Sequence, residues 1–183
     1  MDYHAIGLVE INSIAKGFEV CDAMAKTANV TVLVAKSICP GKYIVMIGGD
    51  VAAVRQSVEA GQATAGQTIV DTFVIPNIHP AVLPAISGGN SIDKVEAMGV
   101  IETYSVAATI EAADAAVKAA SVIPLRMHLA FGIGGKSYVS LSGDVADINA
   151  AVSAGAAVAG EKGFLVSQVV IPRPHPQLIE QIA

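Results

Sequence analysis

The chain has 183 residues, of which 53% are hydrophobic and 15% charged, with a formal net charge of −5. That length allows one large domain or two small ones, and the acidic balance gives no support to nucleic-acid binding. No apolar run reaches the roughly 18 residues of a membrane span, because Lys36, Lys118 and Arg126 interrupt the best candidates.

The N-terminal run MDYHAIGLVE lacks a basic segment followed by an apolar one, so no signal peptide is expected and the chain reads as cytosolic. Residues 5–11 alternate toward a strand. Residues 13–28 place Ile14, Phe18, Cys21, Ala25 and Ala28 on one helical face. That face is expected to be buried, and Ser13 is the expected N-cap. VTVLVAKSI and KYIVMI flank Pro40-Gly41, so they read as neighbouring strands joined by a turn. GDVAAVRQSVEAGQATAG predicts a second helix, with Asp50 at the end where the dipole favours an anion. IVDTFVIP predicts a last strand that Pro76 ends, and a short helix follows His79-Pro80. SGGNS at 87–91 reads as a linker.

The same order then repeats. AIGLVEIN at 5–12 returns as AMGVIETY at 97–104, and SIAKGFEVCDAMAKTANV at 13–30 as SVAATIEAADAAVKAASV at 105–122. GKYIVMIGGDVAAV at 41–54 returns as GKSYVSLSGDVADI at 135–148, and VIPNIHP at 74–80 as VIPRPHP at 170–176. The second copy therefore carries two short insertions, one in the loop at Phe131–Gly135 that corresponds to the Pro40-Gly41 turn. Its helix puts Val106, Ile110, Ala113, Val117 and Ala120 on the face equivalent to that of the first, with Ser105 as N-cap. The expected fold is α+β: two tandem βαββαβ domains at 1–90 and 91–183, with mostly antiparallel sheets and helices packed on one side.

Few residues suggest catalysis. AFGIGGKS at 130–137 approaches a phosphate loop, but Ala130 stands at the first glycine position and a strand-like run, not a helix, follows Lys136. Glu10 and Glu102 occupy equivalent strand ends, which favours a repeated structural role. His4 and His128 have no partner pattern, and no nucleophile–base pair is repeated or clustered. No enzyme is expected.

DAAVKAASV, SGDVADINAAV and VIPRPHP, echoed by DAMAKTANV, GGDVAAV and VIPNIHP, resemble the motifs of bacterial microcompartment shell proteins of the tandem-domain class. The resemblance spans both halves with the domains unpermuted. It implies a homotrimer that imitates the flat hexamer of single-domain relatives. It also implies tiling with other shell proteins into a polyhedral shell in the cytoplasm. By the same resemblance Lys26, Lys118 and Arg173 lie at the tile edge, with Asn77 in place of the arginine in the first half. His79 and His175, in His-Pro pairs repeated at the end of each unit, are expected to shape that edge rather than to act as ligands. SICPGK further resembles the central loop of the propanediol-utilisation tandem type. There the resemblance implies a [4Fe–4S] cluster in the central opening, one per trimer, with Cys39 as the matching ligand. Encapsulated or cytosolic redox enzymes are then the expected electron partners.

A trimer turns one cysteine into three around a threefold axis. A cubane cluster has its own threefold axis through each iron corner, and cysteine thiolates hold such clusters. Ile38, Pro40 and Gly41 flank the sulfur in the turn. The loop of the second copy brings Phe131, Gly132 and Gly134, whose glycines permit close backbone approach and N–H donation to cluster sulfurs. Three thiolates and a water also suit Zn²⁺. Cys21, whose counterpart is Ala113, reads as a small buried hydrophobe. Two other functions compete: a shell pore lined by Cys39 that binds nothing, and a soluble trimeric metal sensor without a shell.

Overall fold

A computed structural model describes residues 4–87 and 95–182. Gly88–Ser91 of the expected linker, and the expected division at 90/91, lie outside the described residues. The chain forms two compact units. One comprises residues up to Ile78 together with Phe131–Gly135; the other comprises His79–Ala130 and the residues from Lys136 onward.

The first unit contains β1 (Ala5–Ile11), α1 (Ile14–Thr27), β2 (Val30–Ile38), β3 (Lys42–Gly49), α2 (Val51–Ala65) and β4 (Ile69–Pro76). The strands form one sheet in the order β2-β3-β1-β4, and each pairing is antiparallel. Ser13 caps α1 by accepting the Lys16 N–H at 3.3 Å. Asp50 is the N-cap residue of α2, with no side-chain cap bond. Gly17 lets α1 lie close on β3, because a Cβ there would sit 2.4 Å from the Tyr43 ring. Val20 and Met24 of α1 join Val9, Ile11, Val45, Ile47, Val54 and Val58 in the core. Each such side chain contributes about 1.5–3 kcal/mol when fully buried.

The second unit repeats this plan. It contains α3 (Val82–Ile86), β5 (Ala97–Thr103), α4 (Val106–Ala119), β6 (Ile123–His128), β7 (Ser137–Gly143), α5 (Val145–Glu161), β8 (Leu165–Pro172) and α6 (Pro176–Ile182). Its sheet runs β6-β7-β5-β8, again antiparallel throughout. Ser105 caps α4 by accepting the Ala108 N–H at 3.1 Å. Thus each sheet is the antiparallel α+β layer that the repeat predicts.

Two expectations need correction. β1 does not alternate in burial: all seven of its residues are buried, as befits a strand paired on both sides within the sheet. The face of α1 chosen from helical spacing is not its core face. Phe18 is 64% exposed and Ile14 is also exposed, and the helix buries Gly17, Val20 and Met24 instead. In α4 the equivalent Val106, Ile110, Ala113 and Val117 are buried. The difference has a visible contribution from α3, which packs on β6 and α4 and buries its own Val82 and Ala85. Among the described residues no helix is long and apolar enough to cross a membrane.

Candidate functional site

Strands β2 and β3 are joined by the turn Cys39–Gly41. Ile38 is buried at the end of β2, Cys39 is half-buried, and Pro40 and Gly41 are exposed. The Cys39–Pro40 peptide is cis, and Gly41 has φ 78°, a left-handed value that glycine adopts without strain. The two strands thereby present the cysteine at their tip.

The loop Phe131–Gly135 belongs to the same compact unit as this turn. Gly132 donates its backbone N–H to Cys39 Sγ at 3.4 Å. Gly135 is the point of closest approach. A Cβ there would lie 2.5 Å from Pro40 Cδ and 3.0 Å from the Cys39 carbonyl oxygen, and its φ is 84°. Both space and backbone conformation thus require glycine at 135. Gly134 also adopts positive φ, at 66°. Phe131 stands 75% exposed beside Gly132.

Two ion pairs secure the strands at the foot of these loops. In the first unit Lys42 Nζ meets Glu10 Oε1 at 2.5 Å, with 10% of the lysine side chain and none of the glutamate exposed. In the second, Lys136 Nζ meets Glu102 Oε1 at 2.8 Å in a much more open setting. The Glu102 carboxylate, by its hydrogen bond and its charge, raises the Lys136 ammonium above the usual lysine value. Sequence reasoning assigned the two glutamates a structural role without finding their partners. The signal was the lysine of each repeated Gly-Lys pair.

Chemically, the turn offers one thiol with a backbone N–H aimed at its sulfur. Among the described residues no group of three or more His, Cys, Asp and Glu is placed to hold a metal ion. One chain alone therefore supplies a single soft ligand. That donor set fits a metal or an iron–sulfur cluster shared between copies, and does not fit a self-contained metal site. Cys21 is elsewhere, half-buried on α1 against the core. Burial first, and then the Asp22 carboxylate, push its thiol up.

The expected tile-edge residues fall at the ends of helices and strands. Lys26 pairs with Asp22 at 2.7 Å and Lys118 with Asp114 at 2.5 Å. Asp114 also accepts the His79 N–H at 2.8 Å. His79 Nδ1 accepts the Ala81 N–H and His175 Nδ1 the Gln177 N–H, each at 3.3 Å. The two histidines therefore start α3 and α6 in the same way, a role that spacing alone did not reveal. Asn77 and Arg173 share left-handed backbone, at φ 55° and 52°.

The BMC domain family model matches the chain twice, at residues 5–78 and 97–174. The chain is 57% identical over 178 residues to the bacterial microcompartment shell protein PduT of Citrobacter freundii, covering 97% of each chain. The shell protein EutM of Salmonella typhimurium is 49% identical over 86 residues, which are 47% of this chain and 88% of EutM. A crystal structure of a microcompartments protein from Desulfitobacterium hafniense DCB superposes with a TM-score of 0.86 at 52% identity. That match covers 96% of this chain and 98% of the other. Two matched domains in series, and 57% identity to a microcompartment shell protein over 97% of both chains, establish that the chain belongs to the BMC domain family, as a microcompartment shell protein of the tandem-domain type.

Proposed function

We propose that this shell protein holds a [4Fe–4S] cluster on the axis of a homotrimer, through Cys39 from each of three chains, and serves electron transfer across the shell. Its place is the bacterial microcompartment shell, in the cytoplasm. The observation that carries the cofactor reading is the Gly132 N–H directed at Cys39 Sγ. Hydrogen bonds to ligand sulfurs are one of the means by which proteins set cluster potential. Cys39 would be the ligand. Gly132 would hold its sulfur in place, and Gly135 keeps the loop close enough to do so. When bound, such a cluster supplies one-electron chemistry. Redox enzymes inside or outside the compartment are the proposed electron partners, and single-domain shell proteins are the proposed neighbours in the tile.

Self-association is supported by the unequal burial of equivalent surfaces. Ile110 is fully buried where Phe18 is 64% exposed. Phe73 and Ile75 on β4 are buried, whereas Val169 on β8 is exposed. Large open apolar surfaces mark sites of association. Lys26, Lys118, Arg173, His79 and His175 are proposed to meet the next tile.

A second reading draws on the exposed Phe131 and Gly132: the loop lines an opening for small metabolites, and Cys39 binds nothing. Anaerobic purification separates the two. The cluster reading expects a brown protein with broad absorbance near about 400 nm that sediments as a trimer. A colourless anaerobic trimer would favour the open pore.

A further inference from the structure

Gly132 donates its N–H to Cys39 Sγ at 3.4 Å, and the loop that carries it is held by a different contact. Gly135 packs against Pro40 Cδ and the Cys39 carbonyl oxygen, which keeps the second-repeat loop beside the turn. Gly132 and Gly134 are left-handed, at φ 75° and 66°, whereas Phe131 and Ile133 are not. The chain therefore turns sharply on both sides of Gly132.

Stability alone gives little reason for the bond to sulfur. A neutral thiol is a weak acceptor. Gly132 is exposed, so water would serve its N–H as well. The balance changes when the sulfur is a metal-bound thiolate and carries negative charge. A hydrogen bond to an ionised acceptor is roughly twice as strong as one between neutral groups, and it strengthens further as charge on the sulfur grows.

We infer that the Gly132 N–H sets the reduction potential of the proposed cluster, raising it by stabilising the reduced state through Cys39 Sγ. This deepens the reading of Cys39 as a cluster ligand and rests on it. Reduction adds one electron, supplied by the redox partner, and neither makes nor breaks a bond at the sulfur. The added charge is shared among the sulfurs, so a donor fixed beside one of them favours the reduced form. The donor is a backbone amide, which neither carries charge nor titrates, so the bias is built into the loop. In a homotrimer three chains supply three such donors. A Cβ at position 132 meets nothing within 4 Å in the chain, so a substitution there acts through the backbone conformation.

The test is a redox titration of the anaerobic full-length protein, with the reduced cluster read by electron paramagnetic resonance. Gly132→Asn is the conservative variant, because asparagine tolerates left-handed backbone and keeps the N–H in place. It should titrate with the wild type. Replacing the amide at 132 by an ester, with glycolate in place of Gly132, removes the donor alone. At the wild-type midpoint the ratio of reduced to oxidised cluster should then fall about tenfold, which is about 59 mV for one electron. Gly132→Val, whose β-branched side chain disfavours left-handed backbone, should shift the same way. If the ester chain holds a cluster at the wild-type potential, the inference is overturned while Cys39 remains a ligand. If the ester chain does not load, the wild type decides: a solvent-exchangeable proton coupled to the spin of the reduced cluster supports the inference, and its absence overturns it. If the wild type itself holds no cluster, the cofactor reading fails and the inference falls with it.

Discussion

Gly132 and Cys39, 93 positions apart in the chain, are joined by a backbone N–H to sulfur contact of 3.4 Å. The loop of the second repeat thereby reaches the cysteine turn of the first. The corresponding loop of the second copy contains Gly132, Gly134 and Gly135 and no cysteine.

Cys39→Ser should abolish iron and sulfide binding, and Cys21→Ser should leave both unchanged. If three chains contribute to one site, as proposed, mixed trimers lose it steeply. At half mutant, random assembly leaves about one eighth of trimers with all three thiols. Metal analysis across a mixing series checks this: a linear decline contradicts a three-chain site.

Gly135→Ala should destabilise the first unit by roughly 1–3 kcal/mol. The added Cβ meets Pro40 Cδ at 2.5 Å and the backbone is left-handed. Thermal unfolding measures the loss. Cluster content should fall with it, because the Gly132 N–H moves away from Cys39.

Glu10→Gln should destabilise the first unit, by up to about 3–5 kcal/mol, because it removes the charge that faces the buried Lys42 ammonium at 2.5 Å. Replacing both residues with apolar ones of similar volume should cost much less. The corresponding change at the open Glu102–Lys136 pair should have a far smaller effect, as exposed pairs are worth little. Denaturant midpoints of the three variants decide the order.

The thiol of Cys21 is raised by burial and by Asp22, so its reactive thiolate forms later than that of a free cysteine. In the Cys39→Ser chain, alkylation of Cys21 should still be accelerating as pH rises above 9.0, the ordinary value for a thiol. The linkage has a definite sign: a raised acid is neutral in the folded chain at pH values where it is already ionised in the unfolded one. The stability it contributes is present below the unfolded value and declines as pH rises through the folded one. A rate that levels off near neutral pH would contradict this assignment.

Much of the fold was legible because each repeat states it twice. Ser13 and Ser105 cap their helices as the spacing predicts, and the Pro-Gly turn joins paired strands. The face of α1 was not legible. Ile14, Phe18 and Cys21 satisfy helical periodicity as well as Val106, Ile110 and Ala113 do, and periodicity does not say whether a second layer covers a face. Gly17 was the missed clue, since only a residue without a side chain lets the helix approach Tyr43. At the candidate site Cys39 stood out through its turn. The Gly132 contact is long-range, and local sequence carries no signal for it. The caps made by His79 and His175 were hidden for another reason: a ring nitrogen accepting an N–H two residues on depends on backbone geometry that the IPxxHP string does not spell out.

The most direct test counts iron and acid-labile sulfide in anaerobically purified wild-type protein. The account predicts about four irons and four sulfides per three chains, all lost in Cys39→Ser. Trimers that contain no iron or sulfide, or that hold zinc in their place, would contradict it.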